Sequence, residues 1–288
     1  MPYLERPGAR IFFDEVGTGP AILTTHGVCE NGSYWSRTGV SGALAEAGYR
    51  VVDMDMRGHG RSTPAGPEPG YDVERIAGDF GAVADHLGVE RFHLLTHATG
   101  GMAGLRYAMH HSDRLLSLMS TDTGSATVPV DAYCEPEWDE QEIAPLDSSA
   151  AADMAEGYEQ YSVHELLEAA RQGDGEPFLN RLNANPDPER CWRWVEEILA
   201  AGNPLYYAAF QRSFYTDPDP KVKLLRGIRC PNLVLLGEHD VLFVKPSELL
   251  ARCLSDVRHV VLDGLGHMLA IEDPERTAAE LLRFLESV

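Results

Sequence analysis

The sequence predicts an α/β protein: a mostly parallel sheet flanked by helices on both faces, with a helical insertion. Three observations predict it. Short apolar runs alternate with helical patterns from residue 1 to about 124. The same alternation resumes after Lys221. Between the two stretches strand-like runs vanish, while acidic and aromatic residues rise. Strand–helix alternation implies a parallel sheet covered on both faces. Residues 1–124 and 220–288 are therefore expected to form one core, and residues 125–219 a helical insertion into it.

Each element has its own warrant. Tyr3 to Glu15 reads as a hairpin, with Pro7-Gly8 at its turn. Ala21–Thr25, Arg50–Asp55, Arg91–Thr96 and Leu115–Thr121 are apolar runs of strand length. Ser36–Gly48, Asp72–Leu87 and Gly100–His111 carry helical patterns between them. Within the insertion, Ala150–Tyr161, Val163–Arg171, Pro188–Ala201 and Pro204–Tyr215 read as helices, punctuated by Pro186, Pro188, Pro218 and Pro220. The closing stretch predicts a strand at Asn232–Leu236, a helix at Pro246–Leu254, a strand at His259–Leu262 and a helix at Pro274–Leu285. No internal repeat or low-complexity tract interrupts this order.

Composition narrows the function classes. A chain of 288 residues is long enough to bury a large core. Its formal charge of −21, from 24 basic and 45 acidic residues, argues against nucleic acid and anionic membrane surfaces as partners. Cys29, Cys134, Cys191, Cys230 and Cys253 are scattered, with no C-x-x-C, so free thiols in a reducing compartment are expected and a zinc or redox motif is not. The start of the chain has no basic-then-apolar leader, and no apolar run approaches the ~20 residues that span a bilayer. A cytoplasmic protein, monomeric or a homodimer, is the expectation.

Four motifs carry the chemistry. Thr25-His26-Gly27-Val28-Cys29 follows a strand, and Gly27 allows close backbone approach to a ligand. Asp55-Met56-Arg57-Gly58-His59-Gly60-Arg61-Ser62 is a glycine-rich turn, with His59 expected to hydrogen-bond within the loop. Thr96-His97-Ala98-Thr99-Gly100-Gly101 joins a strand to a helix through small residues, the setting of a nucleophile elbow, but its centre is an alanine. Gly237-Glu238-His239-Asp240 and Gly264-Leu265-Gly266-His267 each follow a strand near the end of the chain.

Together these resemble the α/β-hydrolase superfamily, in its capped esterase, lactonase and dehalogenase-like branch, over nearly the whole chain. The resemblance implies the α/β-hydrolase fold, with residues 125–219 as a cap over the site. It implies Ala98 at the nucleophile position, Asp240 as the acid and His267 as the base, in the chain order these enzymes use. Asp122 is the second position for the acid. It implies Val28 and Thr99 N–H groups as the oxyanion hole, and no cofactor or metal. Thr96 departs from the glycine usual at its position in the elbow, and His97 matches a frequent neighbour of the nucleophile.

With serine at 98 the implied reaction is hydrolysis of a small-molecule carboxylic ester or lactone through an acyl-enzyme. Ala98 then reads as a serine replaced so that substrate is bound and not turned over. Two alternatives stand beside it: a ligand-binding protein without a nucleophile, and a cofactor-free enzyme of dioxygenase or lyase type in which His267 and Asp240 act as a general-base dyad. Neither Cys29 nor Thr99 is expected to substitute as nucleophile, since nothing places a base beside Cys29 and the Thr99 side chain should leave the turn in another direction. For the substrate pocket the candidates are Tyr34 and Trp35 behind the His-Gly loop, and Trp138, Trp192, Trp194 and Tyr207 among the aromatics of the insertion. Most of those aromatics, which also include Tyr158, Tyr161, Tyr206, Phe210, Phe214 and Tyr215, are expected to pack the insertion onto the core.

Overall fold

A computed structural model describes residues 2–66, 69–125, 148–173, 175, 177–215 and 222–288. The chain opens with β1 (Tyr3–Arg6) and β2 (Ala9–Gly17), an antiparallel hairpin turning through Gly8 at φ +79°. β3 (Ala21–Thr25) follows, then α1 (Ser33–Ser36), α2 (Val40–Glu46), β4 (Arg50–Met54) and the short β5 (Thr63–Pro64). α3 (Val73–His86), β6 (Phe92–His97), α4 (Ala98–His111) and β7 (Leu115–Thr121) complete the first stretch. α5 (Ser148–Gln160), α6 (Val163–Gln172), α7 (Pro188–Leu199) and α8 (Pro204–Phe214) lie between β7 and β8 (Asn232–Gly237). α9 (Val244–Cys253), β9 (Val257–Leu262), α10 (Leu269–Glu272) and α11 (Pro274–Leu285) close the chain.

The strands form one sheet in the order β1-β2-β4-β3-β6-β7-β8-β9, with β5 on β2. From β4 to β9 every pairing is parallel. Side chains alternate across a strand, so a sheet covered on both faces needs apolar residues in both phases. Val51, Leu95, Met119 and Leu233 enter one hydrophobic cluster, and their neighbours Val52, Leu94, Leu118 and Val234 enter the other. No helix among the described residues is long and apolar enough to cross a membrane.

Two expected helices differ at their boundaries. The helix expected over residues 36–48 is two, α1 and α2, because Gly39 adopts φ +91° between them. The helix expected from Gly100 is two residues longer at its start, since α4 follows the strand directly from Ala98.

The strand order reverses at β3, whose chain neighbour β4 lies on one side while β6 lies on the other. A crevice at the carboxyl ends of the strands forms at such a point. Thr25 pairs in register with Thr96, so the segments that leave β3 and β6 enter that crevice side by side.

Candidate functional site

The elbow between β6 and α4 is held by its backbone. Ala98 adopts φ +47°, a left-handed conformation that a residue with a Cβ seldom enters. Its carbonyl accepts a hydrogen bond from Thr123 Oγ1 at 2.6 Å, and the Gly100 N–H donates to the His26 carbonyl at 3.1 Å. Glycine is required next to it. A Cβ on Gly100 would lie 2.4 Å from the His26 oxygen, and one on Gly101 would lie 2.5 Å from Thr123 Oγ1.

The loop after β3 is equally fixed. The Met56 N–H donates to His26 Nε2 at 3.0 Å, so the ring proton sits on Nδ1 and is donated to the Gly27 carbonyl at 2.7 Å. The Asp55–Ser62 loop supports it: Asp55 accepts from Gly32 N and Arg61 N, both at 2.7 Å, and Ser62 Oγ donates to the Asp55 carbonyl at 2.7 Å. Arg57 forks onto the buried Asp79 carboxylate of α3 at 2.6 and 2.9 Å. His59 bonds the Arg57 carbonyl at 3.0 Å within the loop, and burial depresses its pKa to about 4.

His267 reaches the same place from the loop after β9. Its Nδ1 lies 2.8 Å from Asp240 Oδ2, and Asp240 Oδ1 accepts from Leu242 N at 3.0 Å and Phe243 N at 3.2 Å. With Nδ1 bonded to the carboxylate, Nε2 is the free basic nitrogen. Burial works against charging this ring, but the Asp240 carboxylate and its hydrogen bond outweigh burial, with Glu30 and Glu272 adding to them, so its pKa is raised. Phe243 stacks on the ring at 5.4 Å, and Phe178 and His97 contact it at 5.0 and 4.8 Å. Glu272 clamps the loop by accepting from Gly266 N at 2.7 Å and Met268 N at 3.0 Å.

Ala98, His267, Val28 and Thr99 all line one cavity of about 180 Å³. Thr99 is the second residue of α4, so its N–H has no carbonyl one turn back to bond. Its hydroxyl is engaged with the Tyr215 hydroxyl. Cys29, at φ +65°, also lines the cavity, and burial pushes its thiol up to about 12, which leaves it protonated and unreactive. The rest of the wall is largely apolar, with Met102, Met154, Leu167, Phe178 and Tyr158 among its residues.

Asp122, the second position for the acid, lies behind the dyad. Its Oδ1 accepts from Gly237 N at 2.9 Å, while Oδ2 is buried without a hydrogen-bond partner. Burial first, then the neighbouring Asp240 carboxylate, raises its pKa well above the ordinary carboxyl value. Asp122, Asp240 and His267 bring one donor atom each within 4.8 Å, the closest approach to a ligand cluster among the described residues. Asp240 and His267 spend their donor atoms on one another and on backbone N–H groups, whereas Asp122 keeps Oδ2 unpaired.

The aromatic candidates sit elsewhere. Tyr34 stacks on His97 at 4.3 Å and accepts from Ala270 N. Trp35 donates to the Thr25 carbonyl at 2.9 Å, and Trp192 to Asn183 Oδ1 at 2.8 Å. Trp194 lies under the Arg190 guanidinium, and Tyr207 donates to the Leu199 carbonyl at 3.1 Å. None of these five is in the cavity wall; the polar edges of Tyr34, Trp35, Trp192 and Tyr207 are engaged inside the packing between helices and core. Trp138 lies outside the described residues. Tyr158, Phe178 and Tyr215 are the aromatics among the described residues of the insertion that do reach the wall.

Sequence reasoning passed over Glu30 and Glu272. Glu30 carried a signal: a carboxylate three residues after Gly27, in a loop that is otherwise built for backbone contact. Its Oε2 accepts the Gly27 N–H at 2.7 Å, and its side chain lines the cavity.

Comparison with known proteins bears on this arrangement. A family model described as the alpha/beta hydrolase fold matches residues 20–274. A non-heme haloperoxidase of Rhodococcus erythropolis is 26% identical over 100% of both chains. Epoxide hydrolase A of Mycobacterium tuberculosis is 27% identical over 96% of this chain and 94% of its own. Among solved structures, a thermophilic esterase from Thermogutta terrifontis aligns with a TM-score of 0.78 at 23% identity, covering 99% of this chain and 97% of that one. An enol-lactonase from Burkholderia xenovorans aligns at 0.77 and 21% identity, covering 99% and 100%. The two structural likenesses establish a shared fold.

Proposed function

The chain belongs to the alpha/beta hydrolase fold family, and on that premise we propose that its cavity takes a carboxylic ester or lactone, with His267 as base, Asp240 as the acid that orients it, and Val28 and Thr99 N–H groups as the oxyanion hole. The observation that carries this reading is the His267–Asp240 bond of 2.8 Å, with the ring lining the same cavity as Ala98. In this reading residues 1–124 and 220–288 form the catalytic core, and residues 125–219 cap it. The apolar wall selects an ester with an apolar acyl or alkyl part.

Ala98 occupies the nucleophile position without an oxygen to attack. It closes the acyl-enzyme route and leaves the binding surfaces in place. One hydrolytic route is left to the chain as it stands: water attacks the carbonyl directly while His267 Nε2 takes its proton. A serine at this position would complete a Ser-His-Asp triad.

The test is a comparison of three proteins on an aryl ester. Ala98→Ser is expected to exceed the parent by at least about a thousandfold in kcat, to show a burst of the first product, and to be inactivated by a serine-directed phosphonate. The slow rate of the parent is expected to vanish in His267→Ala. An Ala98→Ser protein that neither hydrolyses the ester nor reacts with the phosphonate sinks the reading.

A further inference from the structure

Glu30 is a buried carboxyl in the reaction space that the triad chemistry does not use. A Cβ placed on Gly27 would lie 3.1 Å from the Ala98 methyl and 3.1 Å from Glu30 Oε1, so methyl and carboxyl flank one point beside the elbow. Oε2 is committed to the Gly27 N–H at 2.7 Å. Oε1 lies 3.6 Å from His97 Nε2, beyond hydrogen-bonding distance, and that nitrogen is buried without a partner.

Burial holds the Glu30 pKa up at about 7, against the opposing pull of the Gly27 N–H and His267. The groups facing it are His97 at the end of β6, His267 from the loop after β9, Tyr34 of α1, Tyr158 of α5, Tyr207 and Tyr215 of the α8 segment, and its neighbour Cys29. Burial, followed by the charges of its histidine neighbours, keeps His97 neutral. Burial likewise keeps the four tyrosines and the thiol protonated. Within this set Glu30 and His267 are left as an acid and a base on one cavity.

We propose that Glu30 is a catalytic acid of this site, which donates its carboxyl proton to the substrate carbonyl oxygen while His267 deprotonates the attacking water. The inference rests on the ester or lactone reading. The water oxygen forms a bond to the carbonyl carbon, the C=O pair moves onto oxygen, and that oxygen takes the Glu30 proton. The proton lost by water goes to His267 Nε2. On collapse the bond to the leaving alcohol breaks, and the alcohol oxygen takes the His267 proton. The C=O bond re-forms and the proton returns to Glu30. Both groups end as they began, and no co-reactant is needed. The oxyanion is thus neutralised as it develops, a role that matters most where no covalent intermediate divides the barrier.

The test is kcat/KM for an aryl ester from about pH 5 to about pH 9, for the parent, Glu30→Gln and Glu30→Ala. The parent profile is expected to be a bell, rising as His267 loses its proton and falling about tenfold per pH unit above the upper titration of the pair. Glu30→Ala is expected to lose about a hundredfold or more below it. Glu30→Gln keeps an acceptor for the Gly27 N–H but no titrating proton, and is expected to lose the alkaline fall. A structural role alone would lower the rate equally at every pH. Glu30 variants with the parent's rate and profile overturn the proposal. So does a parent without turnover when Ala98→Ser hydrolyses the ester through His267. If the parent and Ala98→Ser are both inert, or both indifferent to His267→Ala, the ester reading itself falls and takes this one with it.

Discussion

A carboxyl that keeps its proton to neutral pH leaves a mark on stability as well as on rate. The Glu30 pKa rises from 4.5 in the unfolded chain to about 7 in the native one. Between those values the native state binds more protons, so this group's contribution to stability is full below about pH 4.5 and is lost as pH rises towards 7. At 1.36 kcal/mol per pKa unit, the decline is on the order of 3 kcal/mol. Glu30→Gln removes the group, so its stability relative to the parent is expected to grow by up to about that amount from pH 5 to pH 8, read by urea unfolding. Asp53, buried and raised to about 7 as well, shifts both proteins alike and cancels in the comparison. An unchanged difference between the two pH values would place the Glu30 proton elsewhere.

The elements that hold the site make a separate claim. The turn into α4 depends on glycine at 100 because the His26 carbonyl occupies the space of a side chain. Gly100→Ala is expected to cost about 2–3 kcal/mol in urea unfolding and, in the Ala98→Ser background, to reduce kcat by displacing the Thr99 N–H proposed for the oxyanion hole. Much of this was legible in the residues. The alternation of apolar runs fixed where strands lie, Gly100-Gly101 marked a sharp turn, and Asp240 and His267 followed strands in the expected order. The wall of the cavity was not legible. Large aromatics drew attention as pocket candidates, yet Trp35, Trp192 and Tyr207 hydrogen-bond inside the packing, while thin flexible residues such as Met102 and Met154 face the void. A one-dimensional pattern reports that a residue is apolar, not which side of a helix meets an empty space. Glu272 shows the same limit, since its value comes from two backbone donors that only the fold brings to it.

Across the whole molecule, the charge of −21 sets a uniform repulsion that folding must overcome. Raising salt shortens the reach of that repulsion. The melting temperature is expected to rise by about 3 °C between about 0.02 M and 0.5 M sodium chloride. A fall over that range would indicate that attractive surface ion pairs, such as Arg37–Glu197 and Arg212–Glu159, outweigh the net charge.

The elbow's pose is imposed by main-chain bonds from Gly100 and to the Ala98 carbonyl, and by no atom of the methyl group. Position 98 therefore behaves as a socket. Serine, cysteine or aspartate installed there would enter the cavity that His267 also lines, and the frame around it would stay as it is.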